Sequence, residues 1–307
     1  MPPAPAGVRV HALAKINLHL EILGRRPDGY HDLRTIFQSI ALHDTVTIEP
    51  WDGPFTIVCD DPGVPCDATN LVWRAAEAAA QAWSRGPLGG LRVTLEKRVP
   101  AQSGLGGGSA DAMATLRGLA HLWRIEADAA ALAKIGAPLG ADVAFFAFGG
   151  TMRGTGRGDV LSPVAELPGS SLVLLRPRFG VGTADAYRWV AESRAGRQVP
   201  VAAASEIWGD VPGDWAERLA NCRNDFEPVV SARHPLVASL VSDLREAGAV
   251  LALLSGSGSA VAGLFAERSI AEAASAQVAA RHGVQALVTA TAPAGAYARA
   301  VSPAEIP

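Results

Sequence analysis

The chain has 307 residues, with 27 basic against 30 acidic side chains for a net charge of −3, and 49% of its residues are apolar. That composition buries a sizeable core as one large or two moderate domains and excludes a disordered chain. Charged residues make up only 19% and form no dense Lys/Arg block, so nucleic acid is not an expected partner, while a phosphate pocket stays open.

Residues 17–24 set Asn17, His19 and Glu21 against Leu18, Leu20 and Ile22, a period of two that predicts a half-buried strand, with another at 8–12 before it. After a turn-rich stretch at 24–29, strands are expected at 45–48, 55–59 and 91–95. An Ala-rich helix is expected at 70–84, between the last two. Helices follow at 109–122 and, after a cap at Asp128, at 129–135, with a short buried apolar segment at 141–148. The first domain is expected to span 1–163 and the second 164–307. The second holds strands at 171–175, 250–254, 260–265 and 285–290 and helices at 184–193, 235–247 and 269–282. Residues 197–214 carry Pro200 and Pro212 with little periodicity and are expected to form a loop. The whole reads as an α+β architecture of two domains.

Cys59, Cys66 and Cys222 are too few and too scattered for a zinc ribbon, a redox pair or a disulfide framework, which suits a reducing, cytoplasmic setting. Residues 1–7 lack the basic and apolar regions of a signal peptide, and no apolar run approaches a membrane span, so neither a leader nor a membrane anchor is expected. The histidines outside residue 31 show no metal-ligand spacing, so no protein-built metal site is expected. There is no repeat or heptad pattern, and a monomer or weak homodimer is anticipated.

Glycine clusters carry most of the chemical information. The segment from Pro100 through Ala101, Gln102, Ser103, Gly104, Leu105, Gly106, Gly107, Gly108, Ser109 and Ala110 follows a strand and opens a helix. Its backbone N–H groups and the helix N-terminus can converge on an anion, and the Ser109 hydroxyl can meet a phosphate oxygen or Mg²⁺. No Gly-Lys-Ser/Thr ends it, so it is not a Walker loop. The plain alternative is a flexible turn ahead of a helix.

This loop resembles the phosphate-binding motif of the galactokinase, homoserine kinase, mevalonate kinase and phosphomevalonate kinase (GHMP) superfamily, and the resemblance covers nearly the whole chain. Ala14-Lys15-Ile16-Asn17-Leu18, then Arg26-Pro27-Asp28-Gly29-Tyr30-His31-Asp32-Leu33, and Leu139-Gly140-Ala141-Asp142-Val143 are similar to the branch that acts on 4-diphosphocytidyl-2-C-methyl-D-erythritol. Asn224-Asp225-Phe226-Glu227 agrees with it, and 254–260 is similar to the superfamily's third motif. Three departures stand out. Ala101, Gln102 and Ser103 occupy places where the family commonly has glycine, Ala110 stands where many members have Ser, and Asp159 ends a glycine-rich stretch where Glu is usual.

The resemblance implies a two-domain GHMP-kinase-like fold with its active site in the interdomain cleft, binding ATP with Mg²⁺ carried on its phosphates. It implies that Asp142 is the general base for an acceptor hydroxyl and that Lys15 stabilises its ionised form. Asn70 and Lys97 are implied nucleotide contacts beside the loop. Asn17, Tyr30, His31, Thr183 and Tyr187 are implied on the substrate side, with Tyr30 and Tyr187 on opposite faces of a cytosine. Five of them have a structural alternative: Lys15 as a surface lysine, Asp142 and Asn70 as helix caps, Tyr30 as a turn residue, Tyr187 as a core anchor. Other functional readings stay open: a homoserine or mevalonate type of kinase, or a non-catalytic nucleotide-binding protein on the same scaffold.

Overall fold

The computed structural model describes residues 7–194 and 215–306; the loop expected at 197–214 lies outside them. The chain opens with two long antiparallel strands, β1 (Gly7–Arg25) and β2 (His31–Pro54). β1 keeps the expected alternation, yet Lys15, Asn17, His19 and Glu21 are as buried as Leu18, Leu20 and Ile22 between them. It is a central strand covered on both faces rather than a half-exposed one. Each polar group on it must therefore find a partner.

β3 (Thr56–Cys59) follows, and α1 (Leu71–Ala82) crosses over to β4 (Gly89–Glu96), which runs parallel to β3. α1 buries Val72, Ala75, Ala76 and Ala79, the i, i+3, i+4, i+7 stripe of an amphipathic helix. Next come α2 (Gly107–Leu122), α3 (Ala129–Gly136), capped by the Asp128 side chain as expected, and the short α4 (Phe145–Phe148). The hairpin of β5 (Thr151–Thr155) and β6 (Val160–Pro163) then pairs β5 with β2.

The second sheet starts at β7 (Ser171–Arg176). α5 (Thr183–Arg194), α6 (Trp215–Ala220), α7 (Glu227–Arg233) and α8 (Leu236–Glu246) lead to β8 (Leu251–Leu254) and β9 (Val261–Phe265). α9 (Arg268–His282) returns the chain to β10 (Gln285–Ala290), completing the order β10-β7-β9-β8 with every pair antiparallel. The chain then goes back to where it began. α10 (Ala294–Ala300) packs against β1 and β2, and β11 (Ala304–Ile306) pairs antiparallel with Gly7–Arg9 of β1. A division at 163/164 therefore needs a correction at its far end, because the last helix and strand join the first sheet.

Between the two sheets lies one apolar cluster, with Ile16 and Leu18 of β1 and Ile36 of β2 against Leu172 of β7 and Leu253 of β8. Fully burying a Leu or Ile side chain is worth roughly 1.5–3 kcal/mol, so the cluster holds the two sheets in register. Lys15 and Asn17 alternate with Ile16 and Leu18 and so lie on the other face of β1, where Lys15 N meets the Leu105 carbonyl of the glycine-rich loop.

Candidate active site

The glycine-rich segment is shaped by contacts on both sides. Lys15 N donates to the Leu105 carbonyl at 3.0 Å, tying the loop to β1, and Ala260 N donates to the Ser103 carbonyl at 3.2 Å, tying it to the second sheet. Gly104 is left-handed (φ +79°), and a Cβ there would overlap the Ser255 carbonyl oxygen, with the carbonyl carbon only 2.9 Å away. Gly106 caps α2 with φ +73° and no side chain caps the helix. The first N–H groups of the helix are thus left for an outside acceptor. Gln102 takes φ +53°, a conformation glycine accepts at no cost and a side chain adopts at about 1 kcal/mol or more.

Lys15 lies under this loop, its Cγ 3.2 Å from where a Cβ on Gly106 would stand. Its ammonium sits 3.4 Å from Asp142 Oδ2, with the lysine buried and Asp142 35% exposed at the side chain. The two residues, far apart in sequence, therefore meet as a half-open ion pair beside the loop. Asp142 does not serve as a helix cap: the cap position of α4 is Ala144, without a side-chain bond. Lys15 Nζ also donates to Asn17 Oδ1 at 2.7 Å, Asn17 Nδ2 donates to Thr35 Oγ1 at 2.7 Å, and Thr35 Oγ1 donates to the His19 carbonyl at 2.7 Å. This directional chain fixes the Asn17 amide with its oxygen toward the lysine. Ser109 Oγ lies 4.0 Å from the Cβ position of Gly140, so α2 and the Asp142 segment face each other.

The second sheet supplies the opposite wall. Asn224 Nδ2 donates to the carbonyls of Leu254 and Gly256, each at 2.7 Å, which shapes the 255–259 turn. Thr183 Oγ1 lies 3.1 Å from Ser257 Oγ, and the Cβ position of Gly256 is 3.4 Å from Asn17 Oδ1. Thr183 is thereby brought to the lysine–asparagine pair. His31 stacks on Tyr187 with ring centroids 4.4 Å apart and planes 12° from parallel, and Tyr187 meets Phe226 edge-on at 4.9 Å. Burial pushes the Tyr187 phenol up to about 12, with the nearby Asp142 charge adding to it. Burial, then Arg25 and Arg194, lower His31 from its ordinary value, which favours the neutral ring, a donor on one side and an acceptor on the other. Tyr187 gives one face to His31, while Tyr30 is 55% exposed.

Two expected nucleotide contacts are engaged elsewhere. Asn70 is the cap of α1, its Oδ1 accepting from Val72 N at 2.9 Å and its Nδ2 donating to the Pro65 carbonyl at 2.6 Å. It is still close to the loop, since the neighbouring Leu71 Cδ1 lies 3.8 Å from the Cβ position of Gly108. Lys97 needs a larger correction. Its ammonium is buried between Asp44 Oδ2 and Asp111 Oδ2, 2.5 Å from each, instead of pointing at the loop's mouth. Asp44 Oδ1 accepts from the N–H groups of Arg98 and Val99 at 2.5 and 2.7 Å, the two residues that lead into Pro100. Burial raises the Asp111 carboxyl to about 7 against the pull of Lys97, and the Asp44 charge raises it further. Burial opposes the charge on Lys97, but Asp111 and Asp44 outweigh it and hold the ammonium above its ordinary value. Neither aspartate nor Thr35 stood out in the sequence, where each is a lone polar residue without a spacing signal.

A glycine-rich helix start, a lysine–aspartate pair beside it and a glycine–serine turn on the opposite wall define a small-molecule phosphotransferase of the GHMP kinase class. Residues 70–150 match the family described as GHMP kinases N terminal domain and residues 212–285 match GHMP kinases C terminal. Among individual relatives, the chain is 44% identical over 262 residues to a 4-diphosphocytidyl-2-C-methyl-D-erythritol kinase of Synechococcus, covering 83% of this chain and 84% of that protein. It is 42% identical over 292 residues to the enzyme of the same name from Gloeobacter violaceus, covering 94% and 95%. A crystal structure of 4-(cytidine 5'-diphospho)-2C-methyl-D-erythritol kinase superposes with a TM-score of 0.72 at 33% identity, covering 92% of this chain and 98% of that one. A homoserine kinase from Cytophaga hutchinsonii reaches the same TM-score at 19% identity, over 100% and 99% of the two chains, and shares the fold. The chain belongs to the 4-diphosphocytidyl-2-C-methyl-D-erythritol kinase family.

Proposed function

We propose that this protein transfers the γ-phosphoryl group of ATP to the 2-hydroxyl of 4-diphosphocytidyl-2-C-methyl-D-erythritol, a step of non-mevalonate isoprenoid synthesis. The observation that carries the reading is the Lys15–Asp142 pair, 3.4 Å apart and half open to the cleft beside the glycine-rich loop. Asp142 accepts the hydroxyl proton as the oxygen–phosphorus bond forms and the bond from the γ-phosphorus to the bridging oxygen breaks, releasing ADP. Lys15, 3.4 Å from Asp142, offsets the charge that gathers on the transferring group. Asn17, held by Thr35, fixes the direction of the lysine. The N–H groups at the start of α2 bind phosphate oxygens.

Mg²⁺ carried on the nucleotide phosphates would supply the remaining positive charge. The Ser109 hydroxyl at the start of α2 is a hard oxygen donor, which would suit that ion. Tyr30 stacks on the cytosine, neutral His31 reads its edge from a position fixed by Tyr187, and Thr183 faces the methylerythritol end. The proposal keeps the cytoplasmic location and the monomeric or weakly dimeric state expected from the sequence. No helix among the described residues is long and apolar enough to cross a membrane. The test is ADP formation from Mg·ATP with the cytidine substrate, homoserine and mevalonate in parallel. Turnover with the cytidine substrate alone is expected; turnover with homoserine or mevalonate instead, or nucleotide binding without turnover on any of the three, would refute it.

A further inference from the structure

Tyr30 lies at the end of the turn that joins β1 to β2, and it carries a large ring in the open. Its backbone is fixed: Tyr30 N donates to Asp28 Oδ1 at 3.1 Å and its carbonyl accepts from Arg26 N at 2.8 Å. An exposed ring on a turn still rotates, and stacking a base on it would cost that freedom. One face of this ring is covered. The guanidinium carbon of Arg157 lies 4.9 Å from the ring centroid.

Arg157 is itself held at three points. Asp159 Oδ2 accepts from its Nε at 2.9 Å and from its Nη2 at 2.7 Å, and Asp159 Oδ1 accepts from its backbone N–H at 3.2 Å. Gly156 and Gly158 on either side are left-handed (φ +65° and +96°), which curls the β5–β6 turn tightly enough for a residue to bond the side chain two places on. Leu33 N donates to the Gly156 carbonyl at 2.6 Å, fastening that turn to β2 beside Tyr30. The arginine's charge is spent on Asp159, so its remaining planar face serves as a support rather than as an anion hook.

We infer that Arg157, locked by Asp159, is a specificity-determining positioning residue: it backs the Tyr30 ring so that the opposite face is preorganised for the flat pyrimidine of the nucleoside diphosphate substrate. This rests on the reading of Tyr30 as the stacking residue. It also gives Asp159 a role, since its short side chain holds both the guanidinium, through Oδ2, and the Arg157 backbone N–H, through Oδ1, within a two-residue span. Lysine at 157 would keep the charge but lose the plane and the fork.

The experiment is a double-mutant cycle on KM for the cytidine substrate and for ATP, with kcat, using Arg157→Ala, Arg157→Lys, Tyr30→Ala and Tyr30→Ala/Arg157→Ala. Tyr30 is exposed and Arg157 is half-buried on a surface turn, outside the apolar core, so each variant is expected to fold. Arg157→Ala is expected to raise KM for the cytidine substrate about two- to fivefold, the span of an exposed cation–π contact, leaving kcat and KM for ATP unchanged. Arg157→Lys is expected to fall between the two. In the Tyr30→Ala background the arginine substitution should add nothing. An unchanged KM in Arg157→Ala beside a raised KM in Tyr30→Ala overturns the role of Arg157 alone, as does an equal rise with and without the tyrosine, which would mark a direct contact to the diphosphate. An unchanged KM in Tyr30→Ala overturns the stacking reading and this inference with it.

Discussion

Two glycines of the phosphate loop, four residues apart, are expected to respond to alanine in opposite ways. At Gly104 the left-handed backbone (φ +79°) alone costs an alanine about 1–2 kcal/mol. The new methyl would also overlap the Ser255 carbonyl oxygen and stand 2.9 Å from its carbon, a main-chain obstacle that cannot swing aside. Relieving it means moving the loop off the second sheet, and overpacking of this kind costs a further 1–3 kcal/mol or so. At Gly108, inside the first turn of α2, the nearest atom to a new Cβ is Leu71 Cδ1 at 3.8 Å, ordinary contact. There alanine is expected to gain about 0.4–1 kcal/mol by narrowing the unfolded ensemble. Thermal unfolding without nucleotide reads both effects. With a few degrees per kcal/mol for a chain of this size, Gly104→Ala is expected to melt roughly 4–10 °C lower and Gly108→Ala a degree or two higher than the parent. If Gly104→Ala melts with the parent, or if both variants fall together, the packing of the loop against residues 255–258 is not as described.

Tyr30→Ala should raise KM for the cytidine substrate by the equivalent of roughly 1–3 kcal/mol of base stacking and leave KM for ATP alone; equal rises in both would remove Tyr30 from the base. Asp111, raised from 3.8 to about 7 by burial, contributes stability that is fully present below pH 4 and lost as pH rises through about 7. Relative to Asp111→Asn, the parent protein should therefore lose Tm across that window, and parallel curves of Tm against pH would contradict the buried position of this carboxyl. Thr35→Val removes the acceptor of the Asn17 amide and the donor to the His19 carbonyl, and is expected to cost about 1–3 kcal/mol in stability and to lower kcat. Thr35→Ser should restore both, and a Val variant with parental kcat would show that Asn17 needs no such anchor.

What the sequence made legible follows from where its signals are local. The glycine-rich loop announces itself because four of the five residues 104–108 are glycine at a helix start, and α1 and α3 begin at the side chains, Asn70 and Asp128, that cap them. The first half of β2 was not legible. Thr35, Gln38 and Ser39 are all buried there, Thr35 and Gln38 with side-chain hydrogen bonds, so polarity no longer tracks exposure and the period of two disappears. The β5–β6 hairpin is masked by Gly154, Gly156 and Gly158, residues that lower strand propensity while allowing the tight turn. β11 is only three residues long and exists through pairing with the other end of the chain. At the site, Lys15 and Asp142 were individually recognisable through the family's motifs, but their meeting is a product of topology. Lys97 misled for the opposite reason: it is next to the loop in sequence, and two aspartates from β2 and α2 turn its ammonium inward.

The central claim is that Asp142, paired with Lys15, takes the proton from an alcohol on a cytidine-bearing substrate. Its most direct test is phosphorus NMR of the product formed from Mg·ATP and 4-diphosphocytidyl-2-C-methyl-D-erythritol by the parent protein and by Asp142→Asn, with nucleotide affinity measured alongside. The parent is expected to yield a new phosphomonoester on the 2-hydroxyl together with ADP. The variant should bind ATP nearly as well while turning over about 10²- to 10⁴-fold more slowly, the span general-base catalysis supplies. Parental turnover in the variant, or a loss of ATP binding that accounts for its whole deficit, would contradict the assignment of Asp142 as the base.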